Sequence, residues 1–282
     1  FGYNCQRQAH TYTPLHLYEN EKRYHLANDT VPPNEKLEKE ANPNDIASYK
    51  KYTQPYYAPE VSFDKMISFV DSNKNKPFFL YWASPIPHVP LQAPKKWVDY
   101  YLEKFGEEPP YIGNKGYFPN RYPKATYAAM ISYLDEKVGD LVDHLKSIDE
   151  YDNTLIIFTS DNGPSYAGGA DPVYFNSAKP FNGEYGRGKG FVYEGGIRVP
   201  MIASWTGKIK PNTLTNHISG FYDVMATLCD VAQIESPKDT DGISFYNTLI
   251  ENEEQNKHDY MYWEFPEYNG QVAIRRGKWK FV

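Results

Sequence analysis

Cysteine is scarce in this 282-residue chain: there are two, Cys5 and Cys229. A framework of several disulfides is thereby excluded, and one bridge is the most the sequence allows. A surplus of positive charge is also missing, with 30 Lys and Arg against 36 Asp and Glu and a net charge of −6. The basic footprint of a nucleic-acid binder is therefore absent, and any anionic ligand depends on cations placed locally. No run of 18 or more apolar residues occurs, so no membrane span can be read from the sequence. The first residues, FGYNC, lack both a methionine and the basic-then-apolar pattern of a signal peptide. The expectation is a piece of a longer protein whose leader and further residues lie upstream.

What is present is a hydrophobic content of 40% and an aromatic content of 16%, including 26 Tyr and 5 Trp. That is enough for a substantial core, with amphipathic rings near surfaces and clefts. Residues 1–60 are polar, rich in Tyr, Pro and Asn, and carry a charge run from Glu35 to Glu40, which reads as long loops. Phe63, Met66, Ile67 and Val70 then follow helical spacing, and PFFLYWA at 77–83 reads as a short buried strand ended by Pro85, Pro87 and Pro90. Ile131, Leu134, Val138, Leu141, Val142 and Leu145 predict a long helix between Ala125 and Ser147, leading directly into the strand TLIIFTS.

Strand, long helix, strand is the pattern of an α/β fold, a mostly parallel sheet flanked by helices. VPMIASW at 199–205 reads as a third strand after a Gly-rich, aperiodic stretch at 164–190, and Phe221 to Val231 as a helix. VAIRRGKWKFV alternates like a hairpin around Gly277, the start of a small C-terminal α+β subdomain. The expected organisation is residues 1–210 as the central and later part of the α/β domain, and 211–282 as its end leading into that subdomain.

Three stretches carry candidate chemistry. In TLIIFTSDNGP a strand ends on Asp161 and Asn162, two side chains with oxygen donors, before Gly163 and Pro164 turn the chain away. Ligands of parallel sheets gather beyond the carboxyl ends of the strands, and these oxygens suit Ca²⁺ or Mg²⁺ better than zinc. An Asx turn capping the next segment would use the same residues. In FFLYWASPIPHVPLQAP, His88 follows another strand, with prolines on both sides to restrict the imidazole; an incidental loop histidine is the plain alternative. In NGEYGRGKGFVYEGGIRVP, Lys189 sits among Gly186, Gly188, Gly190, Gly195 and Gly196, where backbone can approach a ligand closely and the ammonium supplies a point charge. Gly183 to Lys189 spells G-x-x-x-x-G-K, but Gly190 replaces the required Ser or Thr and no apolar strand precedes it, so the phosphate-loop reading fails.

In this order and at these separations, the three stretches resemble the formylglycine-dependent sulfatases of the alkaline-phosphatase superfamily. The opening FGYNCQRQAHTYTPLHLYEN resembles the middle region of bacterial carbohydrate sulfatases. The resemblance implies a sulfuric ester hydrolase acting on a sulfated carbohydrate or an aryl sulfate. Asp161 and Asn162 match calcium ligands, with Mg²⁺ the poorer fit. His88 matches the histidine that contacts sulfate and protonates the leaving alcohol, and Lys189 the lysine on the sulfate oxygens. Arg198 fits the motif as a brace for the loop, and His10 is a further candidate for substrate contact, with a locally bonded loop histidine as the alternative. The three stretches are expected to converge at one rim of the sheet.

One departure stands out. The family's nucleophile lies in a C/S-x-P/A-x-R motif, whereas Cys5 sits in CQRQA, Cys229 in CDVAQ, and no serine starts such a motif. Formylglycine is therefore expected in a segment upstream, the chain alone is expected to be inactive, and the localisation implied is periplasmic or secreted. A phosphodiesterase or phosphotransferase of the same superfamily, or a non-catalytic carbohydrate-binding relative, are the alternatives.

Overall fold

The computed structural model describes residues 1–252 and 254–282. They form two compact units, one of Phe1–Ile148 with Ser165–Asn176, the other of Asp149–Pro164 with Ser177–Val282.

The first unit opens with a 3₁₀ turn at Gln8–His10, then the antiparallel hairpin of β1 (His16–Glu19) and β2 (Lys22–His25). Asn20 takes the turn with φ 55°, in the left-handed region that asparagine tolerates. This hairpin and the 3₁₀ helix Ile46–Tyr52 lie where the sequence reads as loop. The strands are polar on both faces, and Leu17, packed on Leu26 and Ala58, anchors them, so there is no apolar alternation to detect.

Helix α1 (Ala58–Asn73) starts with a proline in its first turn and buries Phe63, Met66 and Val70, the stripe that the spacing predicts. Helix α2 (Lys95–Phe105) has no fully buried residue, but Trp97, Val98, Tyr101, Leu102 and Phe105 form a half-buried face at helical spacing, a stripe beyond those predicted from the sequence. It is tied to α3 (Pro123–Ser147) by polar links, Trp97 Nε1 to Glu136 at 2.6 Å and Tyr101 to Ser132 at 2.7 Å. The Glu108 carboxylate accepts from the N–H groups of Lys124 and Ala125 and so caps α3 at its start. The predicted long helix is therefore present, but its burial is concentrated in Ala125 to Met130 and Tyr133, while Ile131 is 45% exposed. Met130, Tyr127 and Tyr133 pack with Tyr12, Ile86, Val89 and Leu91, and this core lies directly under the loop that carries His88.

Residues 77–83 depart from expectation. The segment is in no ladder among the described residues, and Phe79 and Tyr81 are 67% and 79% exposed. A strand exists through hydrogen bonds to a neighbour, and apolar composition alone does not supply one.

In the second unit, β3 (Ile156–Thr159) is followed by the single-turn α4 (Glu194–Ile197) and by β4 (Met201–Ser204). β3 and β4 pair antiparallel, Ile156 opposite Ser204 and Thr159 opposite Met201. The parallel pairing expected of these strands is thus absent from the described ladders, all of which are antiparallel. Nor is β3 fully buried, since Phe158 is 41% exposed. Helix α5 (Tyr222–Ala232), foreseen from its periodicity, precedes the short α6 (Tyr246–Leu249). A three-stranded antiparallel sheet follows, β5 (Met261–Phe265), β6 (Gln271–Arg276) and β7 (Trp279–Phe281), with β6 central. Gly277, at φ 56°, makes the β6–β7 turn where the alternation predicts it.

The fully buried Asp223 organises this region: its carboxylate accepts from Gly220 N, Ile243 N and His258 Nε2 at 2.7–2.8 Å. Removing it strands buried donors, each costing about 1–3 kcal/mol. Asp223→Ala is expected to destabilise the protein by about 3 kcal/mol or more, read as a lower midpoint in urea unfolding; a midpoint like that of the parent protein would contradict this account.

Candidate functional site

The sequence-predicted residues divide between the units: His10 and His88 in the first, Asp161, Asn162 and Lys189 in the second.

The His88 loop is held from inside. The phenol of Tyr12, fully buried, donates to the carbonyls of Pro85 at 2.8 Å and His88 at 2.7 Å. His88 N also donates to Pro85 O at 2.8 Å, and the peptide bonds before Pro87 and Pro90 are cis. Nδ1 of His88 lies 2.5 Å from the carbonyl of Val89. A carbonyl only accepts, so Nδ1 carries the proton and Nε2 is the nitrogen that exchanges one. The imidazole of His10 stacks on that of His88 at 5.3 Å and 6°, and Tyr117 presents its edge to both rings at 5.4 and 5.8 Å. Gly168, at φ +60°, closes the underside: a Cβ there would lie 2.8 Å from the Val89 side chain. Tyr12 and Tyr117 were invisible as site residues in the sequence, because an aromatic between polar neighbours carries no signal of what its hydroxyl or ring edge meets.

In the second unit β3 delivers Ser160, Asp161 and Asn162 into a tight turn. Ser160 Oγ donates to the Asn162 carbonyl at 3.0 Å, and the Asn162 amide donates to the Asp161 carboxylate. The loop bearing Lys189 crosses this turn at backbone distance. Gly163 N donates to Gly196 O at 2.9 Å, and Lys189 N donates to Pro164 O at 3.0 Å. A Cβ on Gly163 would overlap the Gly195 carbonyl, one on Gly195 the Asn182 carbonyl, and one on Gly196 the Phe191 and Gly188 carbonyls. Only glycine permits that approach. Lys189 is thereby half-buried near Asp161: burial pushes its ammonium below the usual lysine range, and the Asp161 charge acts in the opposite sense.

Arg198 braces the loop, pairing with Glu194 at 3.4 Å and lying 4.7 Å from the Phe181 ring. Glu194 also binds Lys280 at 2.8 Å and Arg275 at 3.6 Å. Burial pushes the Glu194 carboxyl up, but the bond and charge of Lys280, with Arg198 and Arg275, outweigh it and hold the group below the ordinary carboxylate range.

Asp161 and Asn162 fit a hard divalent cation in donor chemistry, as two of the six to eight oxygens calcium takes. Among the described residues, no group of three or more His, Cys, Asp or Glu is arranged to hold a metal ion.

A half-buried ammonium in the field of a carboxylate, and a histidine with its tautomer fixed, are groups able to bind an anion and to move a proton. The sulfatase family model matches residues 8–234. The chain belongs to the sulfatase family. It is 31% identical over 228 residues to an N-acetylgalactosamine-6-O-sulfatase of Bacteroides thetaiotaomicron, a match covering 79% of this chain and 40% of that protein. Human arylsulfatase A is 29% identical over 210 residues, covering 73% of this chain and 36% of that one. Among solved structures, Ps i-CgsB is 30% identical with a TM-score of 0.64, over 79% of this chain and 45% of that one. The α/β fold of this sulfatase chain is thus that of the alkaline-phosphatase superfamily, although the chain spans only about 40% of the length of such relatives.

Two outcomes follow from the geometry. Tyr12→Phe removes the phenol from the His88 carbonyl and leaves the Pro85 carbonyl with the His88 N–H alone, and a loss of about 1–3 kcal/mol is expected in chemical unfolding; an unchanged stability would remove the phenol from this role. A depressed carboxyl contributes stability that is present above the ordinary carboxylate pKa and is lost as pH falls through the lower folded value. Melting temperature should therefore drop on acidification from about pH 6 to about pH 3, and by less in Glu194→Gln, whose pH profile is the measurement.

Proposed function

We propose that the chain contributes to the active site of a sulfuric ester hydrolase whose substrate is a sulfated carbohydrate. The observation that carries this reading is the glycine-only crossing of the Lys189 loop over the Asp161–Asn162 turn, with the Lys189 ammonium in the field of Asp161. A sulfate ester is a diffuse anion, and in a protein of net charge −6 it needs local cations. Lys189 supplies one to the sulfate oxygens. Asp161 and Asn162 would hold a second as calcium, for which Mg²⁺ is the poorer fit because it demands a stricter octahedron. A bound calcium ion supplies positive charge where the sulfate oxygens accumulate negative charge.

By the family resemblance, the role at the leaving group falls to His88. As the S–O bond to the sugar breaks, the departing oxygen takes the proton on Nε2, while Nδ1–H stays on the Val89 carbonyl and keeps the ring oriented. His10, stacked on His88, is the further substrate contact. No residue among the 282 matches the nucleophile motif; that role is assigned, by the family resemblance, to a formylglycine outside them. Carbohydrate is favoured as the substrate class because the 30% identical Ps i-CgsB has been solved with k-i-k-neocarrahexaose and the 31% identical relative is named for N-acetylgalactosamine 6-O-sulfate chemistry. A periplasmic or secreted location accords with that chemistry.

The test is turnover of sulfated saccharides by the full-length protein. Lys189→Ala should lower kcat/KM by roughly 100-fold or more with little change in melting temperature. His88→Asn should harm sugar sulfates far more than nitrophenyl sulfate, whose leaving group departs without a proton. Equal turnover by the parent protein and Lys189→Ala would refute the reading.

A further inference from the structure

We propose that the β5–β6 turn belongs to the active-site apparatus, with Gln271 and Tyr268 acting as positioning residues for Lys189. The inference rests on the role given to Lys189 above and extends it to a part of the chain beyond the family match, which ends at residue 234.

Lys189 lies in an irregular, glycine-rich loop, and its long side chain can serve a small anion only if the backbone beneath it is fixed. On its N-terminal side the fixing contact is its own N–H on Pro164. On its C-terminal side the contacts come from the last sheet. The Gln271 amide grips the loop at two points, Nε2 donating to Gly190 O at 3.0 Å and Oε1 accepting from Val192 N at 3.4 Å. One side chain thus satisfies the backbone groups of the first and third residues after the lysine. Between them, the Phe191 ring stacks on Tyr268 at 5.4 Å and 13°, and Tyr268 lies against Phe265 at 6.0 Å and 28°.

Gly190 makes this possible. It sits at φ +85°, and a Cβ there would come within 2.6 Å of Tyr268 Cε2, so the tyrosine ring rests directly on the backbone next to the lysine. A second clamp follows in sequence, where Glu194 takes Lys280 from β7 and Arg275 from β6. Four residues of the C-terminal sheet region (Tyr268, Gln271, Arg275, Lys280) therefore converge on residues 190–194. Ordinary packing of a terminal sheet would need apolar contact only; paired hydrogen bonds to the loop backbone specify a position.

The experiment uses the full-length protein and two readouts. In the first, Gln271→Met, which keeps the volume and loses both hydrogen bonds, is placed in the parent and in the Lys189→Ala background, and kcat/KM is measured on a sulfated saccharide. A positioning role predicts a loss of roughly 10- to 100-fold with Lys189 present and less than about 2-fold without it, because residues acting as a unit are not additive. In the second, the rate of Lys189 acetylation by N-hydroxysuccinimidyl acetate is followed by mass spectrometry at fixed pH and should rise severalfold in Gln271→Met. Tyr268→Ala, at the exposed turn, is the second variant should Gln271→Met fail to fold, with melting temperature as the control. Equal losses in both backgrounds, or unchanged Lys189 acetylation in both variants, would overturn the inference. If Lys189→Ala itself leaves turnover intact, the functional reading of the lysine fails, while the acetylation rate still decides whether the turn holds it in place.

Discussion

The chemistry of the second unit depends on two backbones approaching more closely than any side chain would allow. Gly163 donates to Gly196, Lys189 to Pro164, and the space a Cβ would need at residues 163, 195 and 196 is already filled by carbonyl oxygens. From that contact follow the nearness of Lys189 to Asp161, the burial that weakens the lysine's hold on its proton, and the placement of Glu194 where it can gather three cations. The catalytic candidates are thus set by main chain, and side chains such as Arg198 secure what the main chain has fixed.

The first unit solves a similar problem with a different device. A loop of prolines cannot use its own N–H groups fully, since proline has none. Its carbonyls are instead satisfied from within by a fully buried phenol reaching from residue 12. The same short stretch supplies His10, so a single N-terminal segment both supports the His88 loop and faces its imidazole. Packing and chemistry are coupled there: Tyr12 belongs to the core cluster that includes Ile86, Val89 and Leu91.

How much of this was legible in the sequence varies by the kind of signal. Helices α1 and α5 and the hairpin around Gly277 were, because period and turn chemistry are local properties. Helix α2 was passed over although Trp97, Val98, Tyr101, Leu102 and Phe105 recur at helical spacing: that face is only half covered, and hydrogen bonds and an ion pair add to its links with α3. The hairpin at 16–25 was hidden because its strands carry almost no apolar alternation. The antiparallel pairing of β3 with β4 could not be read at all: two apolar runs look alike whichever way they pair. For the candidate site, Asp161, Asn162, Lys189 and His88 could be named from motif and turn residues. Tyr12, Tyr117, Glu194 and Gln271 could not, because their importance lies in partners as many as 86 residues away, as for Glu194 with Lys280.

The glycine crossing also limits how such a site can diversify. Positions 163, 188, 195 and 196 have no room for a new atom, so exchanging one ligand for another by substitution at the crossing is closed to this scaffold. Novelty has to enter from the periphery, where Tyr268 is 55% and Tyr185 74% solvent-exposed and a changed ring costs little of the framework. The crossing is thus an immutable centre with an adjustable margin, in which the backbone frame stays constant while the rings around it are free to vary.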